Sequence, residues 1–252
     1  MVGVLEIKDL HKSFDATKVI NGFSLAVTEM TLQCLVGPNG AGKTTTIDLI
    51  SGRQKPTSGE ITFREENITG LSEHEIARRG IGRKFQVPAV FRELTVRQNL
   101  EVAYNRETSA VRNMFSFKPD GCAKRLEEIA ADVGLTERLG IKAGTLSHGE
   151  TQWLEIGMVL MQDPAMLLLD EPVAGMTEHE MDKTVEILNR LKKTNTIIVV
   201  EHDMGFVRRI ADVVTVMHMG SLLAQGSIAD IEKDERVREV YLGTEDDEES
   251  VH

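Results

Sequence analysis

The chain has 252 residues, and 41% of them are apolar, which is enough to bury a core in one large domain or two small ones. Its 40 acidic residues outnumber the 29 basic ones, and the net charge of −11 argues against a general attraction to nucleic acid. Cys34 and Cys122 lack metal-ligand spacing, so we expect reduced, inert thiols, as in a cytosolic protein. The sequence predicts neither a secretory leader nor an apolar run of the roughly 18 residues needed to cross a bilayer.

Short apolar or alternating segments dominate the first 36 residues. The segments VLEI, VINGFSLAV and LQCLV predict β-strands, with turns expected at SFDAT and at NG. A glycine-rich segment follows directly, then a helical pattern, and PTSGEITF predicts a turn and another strand.

Helical patterns dominate from about residue 87 to 160, with ELTVRQNLEVAYN and CAKRLEEIAADVG as the clearest segments. Apolar strands return in AMLLLD, TIIVVEH and DVVTVMH, and the helical segment EHEMDKTVEILNRLKK separates the first two. Buried strands that alternate with helices predict a parallel α/β core. We therefore expect one domain, with a core of residues 1–86 and 161–243, an inserted helical subdomain of residues 87–160 and an acidic tail of residues 244–252 to which we assign no function.

Residues 37–44, GPNGAGKT, fit the pattern G-x-x-x-x-G-K-[ST] and lie between a strand and a helix, as that pattern requires. Gly40 and Gly42 let the backbone curl so that its N–H groups face an anion at the helix N-terminus. Lys43 would contact the β- and γ-phosphates of a nucleotide, and the Thr44 hydroxyl would ligate Mg²⁺. The alternative is a glycine-rich turn with an incidental lysine.

Four further polar residues are candidates for this site, and all but Gln86 lie at the ends of predicted strands. Asp170 ends the run AMLLLD, where it would hold Mg²⁺ through water, while Glu171 would polarise the attacking water. His202 ends another apolar strand, at the edge where open α/β sheets bind ligands. Gln86 is a candidate neutral ligand for Mg²⁺ or water. Without a phosphate-binding loop, the two carboxylates would be a solvated turn and the histidine a structural residue.

The segment LSHGE, residues 146–150, precedes a helix that contains the single tryptophan. Ser147 and Glu150 have the S-x-x-E spacing of a capping box, in which each side chain satisfies a backbone donor of the first turn. The Ser147 hydroxyl and the Gly149 N–H also form an anion site at the helix N-terminus. We treat capping and anion binding as alternative uses of these donors.

The ordered set GPNGAGKTT, Gln86, LSHGE, LLLDEP and EHD resembles the ATP-binding subunit of ABC transporters over nearly the whole chain. The resemblance implies a P-loop NTPase (RecA-like) α/β core with an antiparallel β subdomain and an inserted α-helical subdomain. It also implies ATP hydrolysis with ATP and Mg²⁺ as cofactors, with Glu171 and His202 as catalytic residues. ATP would contact Phe14, Gly37, Pro38, Asn39, Gly40, Ala41, Gly42, Lys43, Thr44, Thr45 and Gln86, and Mg²⁺ would contact Thr44, Gln86 and Asp170.

In that family the segment at residues 146–150, the signature segment, closes over ATP held by a partner ATPase subunit. The contacts would come from Ser147, His148, Gly149 and Glu150. The usual pattern is Leu-Ser-Gly-Gly-Gln, so His148 restricts the backbone and Glu150 adds negative charge near the polyphosphate. Phe14 stands where a tyrosine usually stacks on adenine and is alternatively a core residue. Met176 and Thr177 replace the usual leucine and aspartate.

The resemblance implies two ATPase subunits, with a heterodimer favoured over a homodimer, on the cytoplasmic face of the membrane. Two transmembrane permease subunits would dock near Gln86 and residues 87–96, where Val90, Phe91 and Leu94 are alternatively subdomain core. A solute-binding protein would act indirectly, and no nucleic acid is implied. LSHG and TQWLEIGM resemble the ATPase subunits of urea importers, and this resemblance implies urea as the imported solute. The alternatives are a branched-chain amino acid importer, a soluble ABC-type ATPase acting on nucleic acid or ribosomes, and a nucleotide switch.

Overall fold

The computed structural model describes residues 3–84, 90–104 and 120–240, and its strands form two sheets. The strands are β1 (Gly3–Phe14), β2 (Thr17–Thr28), β3 (Leu32–Val36), β4 (Ser58–Phe63), β5 (Glu66–Asn67), β6 (Ile81–Arg83), β7 (Met166–Asp170), β8 (Thr196–Val200), β9 (Val213–His218) and β10 (Ser221–Gly226). One sheet is antiparallel with the order β2-β1-β4-β5. The other has the order β10-β9-β3-β8-β7-β6 and is parallel except for β10.

The described residues form eight α-helices, most of which pack on one face of the parallel sheet. They are α1 (Lys43–Ile50), α2 (Glu73–Arg78), α3 (Val96–Ala103), α4 (Asp120–Asp132), α5 (His148–Leu160), α6 (Glu178–Leu191), α7 (Met204–Ile210) and α8 (Ile228–Ile231). Among the described residues, these helices are too short and too polar for any of them to span a membrane.

The parallel sheet is buried on both faces, which explains why its central strands are continuous apolar runs. Along β3, Cys34 and Val36 belong to a hydrophobic cluster with the helices, whereas Leu35 belongs to a cluster with the antiparallel sheet and α1. Helices α3 to α5 pack in the first cluster together with α6 and α7. The inserted helical segment therefore shares one continuous core with the face of the parallel sheet.

Most predicted elements are confirmed, but one predicted turn is wrong. The hairpin turn at Asp15 and Ala16 lies inside SFDAT, as expected. Asn21 and Gly22, in contrast, lie within β2, where Gly22 adopts φ +70° beside a register irregularity. The Asn21 N–H donates to the Gly220 carbonyl oxygen at 2.9 Å, so the backbone stays bonded and the strand continues through an irregular position.

The predicted domain boundaries remain a prediction. The boundary between residues 86 and 87 and the tail of residues 244–252 both lie outside the described residues.

A buried ion pair joins the parallel sheet to α5. Lys84 follows β6 and its Nζ lies 3.7 Å from Oε2 of Glu155 in α5, and both side chains are 6% exposed. Burial lowers the pKa of Lys84 and raises that of Glu155, and the charge of each partner opposes the shift of the other.

Removing one member of this pair leaves an uncompensated buried charge. We therefore expect Glu155→Gln to lower the free energy of unfolding by about 3 kcal/mol or more in urea denaturation. The double variant Lys84→Met/Glu155→Leu is expected to recover most of that loss. The control is Glu128→Gln, which removes an exposed helical ion pair to Lys124 and should cost less than about 0.5 kcal/mol. Equal losses for Glu155→Gln and Glu128→Gln would contradict the prediction.

Candidate functional site

The loop of residues 37–44 joins β3 to α1, and two of its glycines are sterically required. Gly37 has φ +149°, and a Cβ there would lie 2.2 Å from the Met217 carbonyl oxygen. Gly42 has φ +101°, and a Cβ there would lie 2.6 Å from Cδ1 of Ile20 in β2. This close packing against β9 and β2 holds the loop in its curled shape. Gly40, by contrast, has open space where a side chain would be.

Lys43 lies buried under this loop. Its Nζ donates to the carbonyl oxygens of Gly37 at 2.7 Å and Pro38 at 3.0 Å. Burial lowers the pKa of Lys43, and the negative charges of Glu171, Asp170 and Glu201 oppose that shift. Lys43 therefore lies in the field of three carboxylates at the ends of β7 and β8, of which the sequence predicted Asp170 and Glu171.

Asp170, the last residue of β7, provides a test of whether this site fits a divalent cation. Its side chain is buried, and its Oδ2 has no hydrogen-bond partner among the described residues. Burial raises the pKa of Asp170, an effect that the charge of Arg83 opposes. The Thr44 side chain also lies close enough to the Asp170 carboxylate to lower its pKa. A hydroxyl beside a carboxylate with a free buried oxygen is a donor set suited to Mg²⁺, so these residues fit the ion.

Glu171 and His202 lie side by side at the carboxyl edge of the sheet. His202 Nδ1 is 3.5 Å from Glu171 Oε1, and the two side chains are 63% and 49% exposed. Glu171 is left-handed, with φ +46°, and its N–H donates to the Val200 carbonyl oxygen at 3.0 Å. The backbone therefore anchors Glu171 to β8 while its carboxylate faces solvent beside an imidazole.

Glu201, the residue before His202, is a further charged group at this site that was not predicted from the sequence. Its side chain is 1% exposed, and its Oε2 accepts the His202 N–H at 3.1 Å. Burial raises the pKa of Glu201, and hydrogen bonds from the backbone of His202 and Val173 oppose the shift. The buried carboxylate thus holds the backbone at the start of the His202 loop. A charged residue at the end of the apolar run TIIVVEH was the available signal.

The capping box predicted at the start of α5 is confirmed. Ser147 Oγ accepts the Glu150 N–H at 3.2 Å, and Glu150 Oε2 accepts the Ser147 N–H at 3.0 Å. The other oxygen of Glu150, Oε1, accepts from Arg138 Nε at 2.8 Å. The negative charge of Glu150 is therefore paired with a cation.

Capping does not prevent Ser147 from binding an anion. The prediction that the two uses are alternatives is therefore wrong. The Ser147 hydroxyl donates its proton to Glu180 Oε1 at 2.6 Å, and the Gly149 N–H donates to the same oxygen at 2.9 Å. These bonds, with those from Thr177, lower the pKa of Glu180 to about 2, and the Ser147 bond contributes most. A hydroxyl oxygen accepts and its proton donates, so one serine fills both roles.

His148 contacts the loop after Glu171 in the same chain. Its Nε2 lies 3.0 Å from the Ala174 carbonyl oxygen and must donate, since a carbonyl only accepts. Thr177, the substitute for an aspartate, caps α6 through its hydroxyl. Met176 packs against the core formed by the helices.

Phe14 is 42% exposed, so its alternative interpretation as a core residue is wrong. Lys12 Nζ lies 4.7 Å from the centroid of the Phe14 ring. Among the residues predicted to dock a permease, Phe91 is 52% exposed and Val90 packs against the core. Gln86 and residues 87–89 lie outside the described residues.

Comparisons with known proteins agree with this geometry. The ABC transporter family profile matches residues 20–174. The high-affinity branched-chain amino acid transport ATP-binding protein BraF of Pseudomonas aeruginosa is 36% identical over 253 residues, covering 95% of this chain and 98% of that protein. The similarly named LivG of Salmonella typhimurium has the same identity and coverage.

Two solved structures share the fold. The ADP conformation of MJ1267, an ATP-binding cassette of an ABC transporter, has a TM-score of 0.86 and 30% identity, covering 96% of this chain and 100% of that chain. The cbiO1 protein of Clostridium perfringens has a TM-score of 0.81 and 27% identity, covering 96% of each chain. The predicted fold class, a P-loop NTPase core with an antiparallel sheet and a helical part, is confirmed. The chain belongs to the ABC transporter family of ATPases, whose members bind ATP with Mg²⁺ and hydrolyse it to drive transport.

Proposed function

We propose that this chain is the ATPase subunit of an importer of the branched-chain amino acid type, bound to the cytoplasmic face of the membrane through permease subunits. The observation that carries the catalytic part is the convergence of Lys43, Glu171 and His202 at the carboxyl edge of one parallel sheet. That edge is where open α/β sheets bind their ligands.

Hydrolysis follows from the positions of the chain's own groups. Glu171 accepts a proton from the attacking water, whose oxygen bonds to the γ-phosphorus as the bond to the β-phosphate oxygen breaks, giving ADP and phosphate. His202 contacts the γ-phosphate beside it. Lys43 and the backbone N–H groups of residues 37–44 offset the negative charge that develops on the phosphates, with Phe14 stacked on the adenine.

Thr44, Asp170 and Gln86 are the proposed holders of Mg²⁺. When bound there, the ion neutralises phosphate charge and acts as a Lewis acid. The buried, unpartnered Oδ2 of Asp170 supports this assignment, because a buried carboxylate oxygen without a hydrogen bond is costly unless it meets a cation.

The signature segment is the proposed contact to ATP held by a second ATPase subunit. Ser147 and Gly149 supply converging donors for the γ-phosphate of that ATP, while His148 and Glu150 bind within their own chain. Because this segment departs from the usual pattern, a heterodimer with a different ATPase is the proposed assembly, together with two permease subunits and a solute-binding protein.

Two cargoes have specific support. The branched-chain amino acid assignment is supported by BraF and LivG, whose names state that cargo. Urea is supported by the sequence of the signature helix, LSHG followed by TQWLEIGM, which resembles the ATPases of urea importers. An ATPase does not touch the transported solute, so transport itself must decide between them.

The test is uptake of labelled leucine and labelled urea at low concentration by cells that lack this chain and carry either the wild type or Glu171→Gln. Recovery of leucine uptake by the wild type alone supports the branched-chain assignment. Recovery of urea uptake alone replaces it with urea. If neither solute responds, the importer assignment to this solute group is overturned.

A further inference from the structure

The signature segment already binds an anion from its own chain. Glu180 Oε1 accepts from the Ser147 hydroxyl at 2.6 Å and from the Gly149 N–H at 2.9 Å. These are the two donors that the proposed function gives to the γ-phosphate of the partner subunit's ATP. One carboxylate oxygen thus uses both donors in the isolated chain.

The close approach of Glu180 depends on Gly149. A Cβ at position 149 would lie 2.7 Å from Glu180 Cδ, closer than a side chain tolerates. A second contact lies next to this one. His148 binds the Ala174 carbonyl oxygen in the loop that leads from Glu171 to α6. The signature segment is therefore hydrogen-bonded to the loop that follows Glu171.

The two oxygens of Glu180 have separate partners. Oε2 accepts the Thr177 N–H at 3.0 Å and the Thr177 hydroxyl at 2.9 Å, which completes the capping box of α6. Oε1 alone holds the signature segment. The carboxylate can therefore release the signature donors while α6 keeps its capping interactions.

A phosphate oxygen and a carboxylate oxygen compete for the same donors, and their negative charges repel each other at this distance. We propose that Glu180 is a positioning residue of the signature half-site, which occupies the place of the γ-phosphate and must be displaced when the partner's ATP binds. The proposal rests on the proposed function of the signature segment. Closure of the two ATPase subunits then requires the γ-phosphate to replace the Glu180 carboxylate at the donors of Ser147 and Gly149.

The decisive variant is Glu180→Gln, which removes the charge and leaves one oxygen. Glutamine at this position still completes a capping box, so its oxygen serves Thr177 and the signature donors lose their competitor. In the assembled transporter, we expect the KM for ATP to fall by about 3- to 10-fold, since hydrogen bonds to a charged group are roughly twice as strong as neutral ones. We expect kcat to stay within about twofold, because Glu180 is displaced before chemistry.

The matched control is Glu178→Gln, an exposed carboxylate in the first turn of the same helix. It changes net charge equally and should leave the KM unchanged. The thermal midpoint of each complex reports whether α6 remains capped. A KM for Glu180→Gln equal to or above that of the wild type overturns the proposal and makes Glu180 a structural cap.

A second variant separates this proposal from the proposed function. Ser147→Ala removes the donor needed by both the phosphate and Glu180, so it should raise the KM for ATP. If the wild type hydrolyses ATP and Ser147→Ala leaves its KM unchanged, the signature assignment fails. If Ser147→Ala raises the KM but Glu180→Gln does not lower it, only the role of Glu180 fails.

Discussion

Glu171→Gln is expected to reduce the ATPase rate of the assembled transporter by at least about 100-fold, the lower end of what a general base contributes. The glutamine keeps the size of the side chain but cannot take the proton of the attacking water. Affinity for ATP should be unchanged, because the phosphate contacts of Lys43 and residues 37–44 are intact. Steady-state turnover and equilibrium binding of labelled ATP give the two measurements.

The control for this variant is again Glu178→Gln, which removes a carboxylate without touching the site. Its turnover should match that of the wild type. Normal turnover of Glu171→Gln would remove Glu171 from the chemistry and shift attention to His202, whose Nδ1 lies 3.5 Å away. Loss of ATP binding together with turnover would instead indicate a damaged loop.

Lys43→Met is expected to weaken ATP binding by about 100-fold, comparable to the loss of one preorganised donor to an oxyanion. Methionine keeps much of the side-chain length and removes the positive charge. The buried position tolerates this change, since burial already disfavours the charged lysine. We therefore expect ATP to raise the thermal midpoint of the wild type and to leave that of Lys43→Met nearly unchanged.

Lys193→Met serves as the matched control because Lys193 is exposed after α6. It should retain the full stabilisation by ATP. The prediction fails if Lys43→Met retains that stabilisation as well. A lower midpoint without nucleotide would show that the bonds from Lys43 to Gly37 and Pro38 shape the loop.

The sequence predicted the strands best where burial is most complete. Each residue of β3, β7 and β8 is buried, so continuous apolar runs marked them. The three-residue strand β6 was not predicted because its side chains give no repeating pattern. Among the described strands it pairs only with β7, at the sheet edge. Gly22 was misassigned to a turn because a bulged strand also requires a left-handed residue.

The candidate site was predictable where its residues are consecutive in sequence or end an apolar strand. Lys43, Asp170 and Glu171 belong to such local patterns. The contact of Glu180 with Ser147 joins positions 33 residues apart and follows from how α5 packs on α6. The hydrogen bond from Trp153 Nε1 to Thr184 in α6, at 2.9 Å, likewise joins two separate helices and could not be predicted from local sequence. No spacing within one segment reveals such contacts.

The left-handed backbone of Glu171 affects how this protein can be improved. A non-glycine residue at φ +46° carries a conformational cost of order 1 kcal/mol that glycine or asparagine avoids. A selection for thermal stability alone would therefore favour glycine or asparagine at position 171. Each such variant would be more stable and would lack the carboxylate that accepts the proton of the attacking water. Directed evolution of this protein needs a turnover screen at every round.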